Sequence, residues 1–501
     1  MGNVLVNKDT LTAIADAIRE KSGSDIRYKP ARMPDAILAI ETESGADLGK
    51  PVRFYGAYGE LIYSYSWEEI EGMTELPSLP DAEGLVCQGW NWSLESIQEA
   101  AGEVEVGAIF ITDDGSTRIY IELVEGALEP YLGFAQAEAD SVQIDWGDGS
   151  ELETSSVSGS GIPIHVQHRY AGPGEYVIRL IPLENAKIYF WGSANNTYLL
   201  HQTASSSRVN SAYKNCIRKI ELGNCIAGIG TRAFNSESLE YIIIPEGITD
   251  IQTAFQACTG LRYMALPKSI TKIVSYAFRQ NSSLERICLS DYLTSLASYC
   301  FEGCCAMEGI TFPESVNTIS TYIMSGCTSM KKVRIPAAMK KVANYMFQEC
   351  TALREVVLEE GITEIGGSSF AECSALESVI LPDSVTKIGN YGFYGCILLR
   401  KIQLPSSLKQ VEANAFANCY SLAELTLPET VTSIGNSAFD KCYCIENYYV
   451  MAAVPPTLGG SSVFNQMSDT CRIHVPKGCL EAYRTANYWS AWADHMVEME
   501  E

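Results

Sequence analysis

A chain of 501 residues is longer than one hydrophobic core sustains, so several domains are expected. Its 47% hydrophobic and 19% charged residues are a globular composition, and no apolar run is long enough to span a membrane, which excludes membrane insertion through a helix. Asp and Glu number 61 against 36 Lys and Arg, and the resulting charge of -25 repels polyanions, so nucleic acid is not an expected partner.

The opening MGNVLVNKDTLTAIADAI lacks the basic segment, apolar core and small-residue site of a secretory signal, and VEMEE is no hydrophobic anchor, so a Sec export route is not expected. Residues 1–43 carry two short helical patterns. Asp9 or Thr10 caps the first, Leu11, Ile14, Ala15 and Ile18 share a face, and Ser22-Gly23 stops it; the second starts at Pro34. The run LTAIADAIREKSGSDIRYKPARMPDAI resembles the amino-terminal segment of tail proteins from phages and prophages of Gram-positive bacteria. That resemblance implies an attachment segment.

Residues 50–125 alternate as strands in PVRFYGAYGELIYSYS, GLVCQGWNWS and VGAIFITDDGSTRIYIEL, with a helix in WEEIEGM or SLESIQEAAG between them. Gly59 marks one hairpin, and Asp114-Gly115 reads as a two-residue hairpin joining the last two strands. The F-x-G hairpin and the stretch from Pro77 to Trp90 resemble the β-grasp modules of bacterial surface repeats. Trp90 and Trp92 have two readings, a sugar-stacking pair or the packing of a small core.

Residues 126–195 contain VQIDWGDGSE and HVQHRYAGPGEYVIRLIP. The W-G-D-G turn at 146–149, with His168, Tyr170, Gly174 and Tyr176, resembles the polycystic-kidney-disease (PKD) type of immunoglobulin-like sandwich. Val142, Ile144 and Trp146 would then face Val177, Ile178 and Leu180 across it. Asp145 and Asp148 either hold calcium or shape the turn, and two carboxylates are far fewer than the six to eight oxygens calcium takes.

Residues 215–450 repeat. Phe255, Phe278, Phe301, Met324, Phe347, Phe370, Phe393, Phe416 and Phe439 stand 23 residues apart without an insertion. Cys (once Asn281) follows three residues after each, and Leu, Met or Ile three later still. The segment Ile226 to Phe234 forms a shorter leading coil. The unit I-G-x-x-A-F-x-x-C-x-x-L-x-x-I-x-L-P resembles the BspA-type, or Treponema-type, leucine-rich repeat, which implies a solenoid of stacked strands. Nine strands about 4.8 Å apart make a ribbon on the order of 43 Å long. Alternation turns Val333, Val356, Val379 and Ile402 inward. The outward columns are Tyr263, Arg286, Gly309, Lys332, Glu355, Ser378, Lys401, Glu424, Asn447 and Ala265, Cys288, Thr311, Arg334, Val357, Ile380, Gln403, Thr426, Tyr449. Buried columns stay constant while these vary, as on a recognition surface. Tyr276, Tyr299, Tyr322, Tyr345 and Tyr391 form a ridge that either binds glycan or peptide, or packs. Lys331, Lys332, Arg334, Lys340 and Lys341 form a basic patch that suits an anionic partner or is a solvated face. The eight cysteines of the repeat column read as core filler, since stacked Cβ vectors run side by side and C-x-x-C spacing is absent. Residues 451–501 leave the period and read as a cap, with a strand at Cys471 to Val475 and a helix from Gly478 to Ala486.

The expected fold is thus multidomain and mainly β with short helices: a helical segment, a β-grasp-like module, a PKD-like β-sandwich and a leucine-rich-repeat solenoid. Five His sit in no G-x-S-x-G, H-E-x-x-H or P-loop context, so no enzyme, catalytic residue, metal or cofactor is expected. The expected ligand-binding residues are Tyr263, Arg286, Lys332, Arg334, Glu355, Lys401, Gln403 and Tyr449, with Tyr276, Tyr299, Tyr322 and Tyr345. The expected function is a phage tail-fibre or baseplate receptor-binding protein, located in the virion. It would bind a host cell-surface glycan or protein, contact other tail proteins, and form a homo-oligomer such as a trimer. The alternative is a bacterial cell-surface adhesin of the BspA type, and the third reading a structural hub in a tail or injection apparatus.

Overall fold

A computed structural model describes residues 52–100, 102–136, 141–155, 164–184, 186–190, 199–201, 213 and 215–500. The amino-terminal segment 1–43, with its two expected helices and attachment role, lies outside the described residues.

The first module is a four-stranded sheet in the order β2-β1-β4-β3, from β1 (Val52–Tyr55), β2 (Leu61–Tyr65), β3 (Leu85–Trp90) and β4 (Val104–Thr112). The Gly59 hairpin forms, with Gly59 in the left-handed region (φ 87°) and β1 antiparallel to β2. Both candidate helices form, α1 (Trp67–Glu71) and α2 (Leu94–Glu99). A capping box starts α1: the Ser66 hydroxyl accepts from the Glu69 amide while the Glu69 carboxylate accepts from the Ser66 amide at 2.7 Å. Phe54, Ile70, Trp90, Trp92, Ile97 and Phe110 fill the core, so the two tryptophans pack and present no sugar platform.

The second expected hairpin does not form. β4 pairs with β1 and β3, whereas β5 (Thr117–Leu123) leaves the module and pairs antiparallel with β10 (Gly174–Pro182) on one side and with β13 (Ile217–Glu221) on the other. Gly115 still turns the chain, with φ 73°, but the turn links two sheets. β10 also pairs with β7 (Val142–Asp145), itself flanked by β8 (Glu153–Thr154), which places Ile144 beside Leu180 in one sheet and corrects the expectation that these strands face each other. Opposite them stand β6 (Tyr131–Gln136), β9 (Ile164–Gln167), β11 (Ile188–Phe190), β12 (Leu200–His201) and, parallel to β11, β14 (Ile226–Ile229); Leu132, Phe134 and Ile188 share the core with Ile144, Trp146 and Leu180.

β13 is the first solenoid strand, and β15 (Tyr241–Ile243), Tyr263–Ala265 and Arg286–Cys288 follow it in parallel. Eight strands from the small sandwich and the solenoid therefore form one sheet. Farther on the register keeps the 23-residue step, with Lys332 opposite Glu355, Ser378 opposite Lys401 and Glu424 opposite Asn447. A second parallel ladder of two-residue strands runs on another side of each coil, from Lys272–Ile273 to Thr457–Leu458. The first ladder also divides between Glu355–Leu358 and Ser378–Ile380 and between Lys401–Gln403 and Glu424–Leu427, but at one place both ladders are interrupted together. No strand forms at 309–311, and the second ladder stops after Thr318–Ile319 and resumes at Lys341–Val342.

Inside, the phenylalanine rings stack 5.3–5.7 Å apart within 9° of parallel. The expected inward Val333, Val356, Val379 and Ile402 are buried. Beneath the rings each column thiol donates to the backbone carbonyl at the Phe position of the preceding coil, at 3.0–3.3 Å. A small apolar side chain with one weak donor suits that site, which explains cysteine there without redox chemistry. The cap continues the ribbon through Arg472–Val475 and Met496–Glu498, and Trp489 plugs the end, its Nε1–H donating to Pro456 O at 2.7 Å. Its helix is shorter than expected, Leu480–Thr485.

Candidate functional site

The strand face of the solenoid is the surface whose side chains vary, and the first module covers its early coils. Gly107 in β4 lies so close to the ribbon that a Cβ there would meet the Ala265 Cβ at 2.5 Å and the Cys288 Cβ at 2.9 Å. The Asn91 amide donates to Leu266 O at 3.2 Å and Cys288 O at 2.9 Å, and Trp92 Nε1–H to Leu289 O at 2.6 Å. Charges close the seam: Arg286 binds Glu105 at 2.9 Å, Lys332 binds Glu103, and the Thr311 hydroxyl donates to Glu103 O at 3.1 Å. Deeper, the buried Glu221 carboxylate accepts from Tyr58 Oη at 2.6 Å and Tyr120 Oη at 2.9 Å and pairs with Lys219 at 2.8 Å. Burial and that carboxylate push the Tyr120 phenol up to about 12.

This cover corrects two outward assignments. Tyr263 is only 5% exposed and Cys288 is fully buried, because the module removes them from solvent. Tyr263 is therefore part of an intramolecular contact and is not a ligand-binding residue.

Where the cover ends, a cleft of about 660 Å³ opens between the module edge (Arg53, Gly102, Glu103, Glu105) and the coils from Glu285 to Val357. It unites four of the expected residues, Arg286, Lys332, Arg334 and Glu355. The module residues on its other wall were invisible to the repeat pattern, since only tertiary docking brings them there. Lys401 and Gln403 lie exposed farther along the same face, and Tyr449 marks its far end, stacked 4.6 Å from His474. The His474 Nε2 meets Asn447 Oδ1 at 2.9 Å.

The cations of the basic patch that line the cleft are already paired. Lys331 pairs with Glu308 at 2.6 Å, Lys332 with Glu103, and Arg334 with both Glu314 and Glu359. Each cation of that group lining the cleft already has a carboxylate, so an anionic ligand would have to displace one. Lys340 and Lys341 sit at the second ladder, away from the cleft.

The tyrosine ridge forms as a ladder. Tyr276, Tyr299, Tyr322 and Tyr345 stack at 5.1, 4.7 and 4.2 Å within 9° of parallel, each with φ between 58° and 67°. Each inner ring gives its faces to its neighbours, so the ridge shows edges and hydroxyls, and Arg279 lies over Tyr276 at one end. A sugar ring stacks on a face, so this arrangement favours packing. Tyr391 stands apart, beyond Ser368, edge-on to Tyr394 at 5.5 Å.

The W-G-D-G motif closes on itself. His168 stacks 4.6 Å over Trp146 and binds Asp148 at 2.7 Å, while Asp145 accepts from the Gly147 amide at 2.9 Å. Burial opposes ionisation of Asp148, but the His168 and Ser150 hydrogen bonds outweigh it and hold the carboxyl down at about 2. Both carboxylates therefore serve the turn. No group of three or more potential metal ligands occurs among the described residues.

Three solved structures are similar to parts of the chain. A leucine-rich repeat protein of T. pallidum is 26% identical over 36% of this chain and 77% of its own (TM-score 0.28). One from Bacteroides ovatus is 20% identical over 72% and 99% (TM-score 0.39), and a leucine rich cell surface protein of Faecalibacterium prausnitzii 18% over 62% and 96% (TM-score 0.25). No curated protein matches. The model of the BspA type leucine rich repeat region matches six copies at 190–304, 271–396 and 363–490, which spans more than half the sequence. With its 23-residue coils, stacked phenylalanines and thiol column, the chain belongs to the BspA-type leucine-rich-repeat family.

Proposed function

We propose that the protein is a non-enzymatic binding protein of a bacterial surface, an adhesin, that recognises its partner with the cleft and the open ribbon beyond it. One observation carries the reading. The same strand face whose early coils are sealed by the module stays exposed from Glu355 through Ser378, Lys401, Gln403, Glu424 and Thr426, while the residues beneath it hardly vary. A fold that needed this face only for stability would repeat it too. Binding of the fluorescently labelled full-length chain to intact bacterial and epithelial cells tests it. The triple variant Lys401→Glu, Gln403→Ala, Glu424→Lys should lose about tenfold or more of the wild-type signal, from two or three contacts of about 0.5–1.5 kcal/mol each. Undiminished binding would move the site off the ribbon.

The wording of residues 1–43 favours a second reading, a receptor-binding protein of a phage tail, with the same ribbon turned to the host and the amino terminus held in the virion. Immunogold labelling of induced particles separates the two: decoration of tails supports the virion, decoration of the cell envelope the adhesin. Retention in tails without cell binding would leave the structural hub. Sedimentation of the full chain reads out whether a trimer forms.

A further inference from the structure

The open face changes character at the edge of the module. Under the cover the second outward column holds Ala265, Cys288 and Thr311. Next comes Arg334, held by Glu314 and Glu359, and beyond it stand Val357 and Ile380, 45% and 60% exposed, before the column turns polar at Gln403 and Thr426. Branched aliphatics so exposed on adjacent coils are a pair of apolar side chains left in water. Glu355 shares the strand and side of Val357, two residues away. Its register neighbour Lys332 turns to Glu103, so among the described residues Glu355 has no basic partner.

The covered half shows what this ribbon accepts. Extended polypeptide, β4 with its small Gly107, crosses it, and charged side chains pair at the rim. We propose that the corner docks an extended segment of a partner protein. An aliphatic or aromatic side chain of that segment sits on Val357 and Ile380, and a Lys or Arg two residues along it pairs with Glu355. Residues i and i+2 of an extended chain lie about 6.7 Å apart on one side, the spacing of Val357 and Glu355 on their own strand. A glycan fits less well, because the corner offers branched methyls and no exposed aromatic face. The inference rests on the open ribbon being the recognition surface.

A yeast-displayed library of random 12-residue peptides, selected on the full-length protein, tests it. Selected peptides should share an apolar-x-Lys/Arg pattern. Ile380→Ser should weaken them about tenfold, Glu355→Gln about threefold with a flatter salt dependence, and Leu61→Ser, equally exposed on β2, should leave them unchanged. Acidic peptides, no selected peptides, or indifference to Ile380→Ser would overturn the proposal. An oligosaccharide array gives the second arm. Sugar binding that Lys401→Glu abolishes and Ile380→Ser leaves intact would overturn the peptide while keeping the ribbon as the site. Ligands indifferent to every open-face substitution would remove the site as well.

Discussion

Cys373 shows how much one side chain does in this repeat. It fills a gap under two stacked rings, donates to Phe347 O at 3.2 Å, and burial raises its thiol well above the usual range. The Cys350 thiol is pushed up to about 12 for the same reason. Two outcomes follow from those buried thiols. Of the 17 cysteines only Cys444 is exposed, with Cys87, Cys305 and Cys479 half-buried, so a thiol reagent at neutral pH should titrate no more than these four until the chain unfolds. Stability should also fall in alkali. Below pH 9.0, the ordinary thiol value, folded and unfolded chains both keep these protons. Above it the unfolded chain releases them while the folded chain does not, so each raised thiol costs about 1.4 kcal/mol per pH unit until its folded value is reached. Urea titrations at pH 7, 9 and 10 measure this, and a flat profile would mean the column is wetter than its burial implies. The thiol column and the rings were legible because a buried position repeated at a fixed period has only one physical meaning. Tyr263 and Cys288 were misread because alternation gives the side of a strand, and no local signal tells what comes to rest on that side.

The tyrosine ladder is an element whose parts oppose each other. A left-handed φ costs a residue with a Cβ roughly 1–2 kcal/mol, and a ring stacked on two neighbours regains about 0.5–1.5 kcal/mol per contact. Ser437 has the same backbone at φ 56° with no ring to lose. Tyr322→Gly should therefore cost about 1 kcal/mol, whereas Ser437→Gly should leave stability unchanged or raise it slightly; thermal melts of the two variants distinguish them. Equal effects would mean that the stack contributes nothing. Spacing alone revealed that the tyrosines align, but not that they would use up their own faces. The Asp114-Gly115 turn was misjudged in a related way. The dipeptide sets a tight reversal, yet β5 gains more by joining β10 and β13 than by returning along β4, and that choice is made by partners about 60 and 100 residues away.

At the scale of the molecule, the first module and the solenoid are one folded unit sharing a seam, and the seam has a centre. Trp92 is buried there between the module core and Leu289. Trp92→Ala should cost about 3–5 kcal/mol and raise hydrogen exchange in β4 together with the coils at 263–289, while coils beyond 355 keep their protection. Exchange rising in the module alone would mean that the solenoid does not depend on its cover. The solenoid itself was readable from its period. The seam was not, since its pairs, such as Glu103 with Lys332, are 229 residues apart and their residue types are ordinary.

The interruption of both ladders near residues 309 to 341 matters once the molecule is pulled. A load between its ends runs across the stack, so the coils bear it in series and the least cross-linked one yields first. That coil is bracketed by a single module residue, whose backbone holds Thr311 and whose carboxylate holds Lys332 on the next turn. Glu103 thus splints the joint at which both ladders are missing. With that splint in place, a load would pass to the regular turns, and each turn that opened would release its 23 residues and lengthen the chain by roughly 75 Å, so that it would stretch in steps of fixed size.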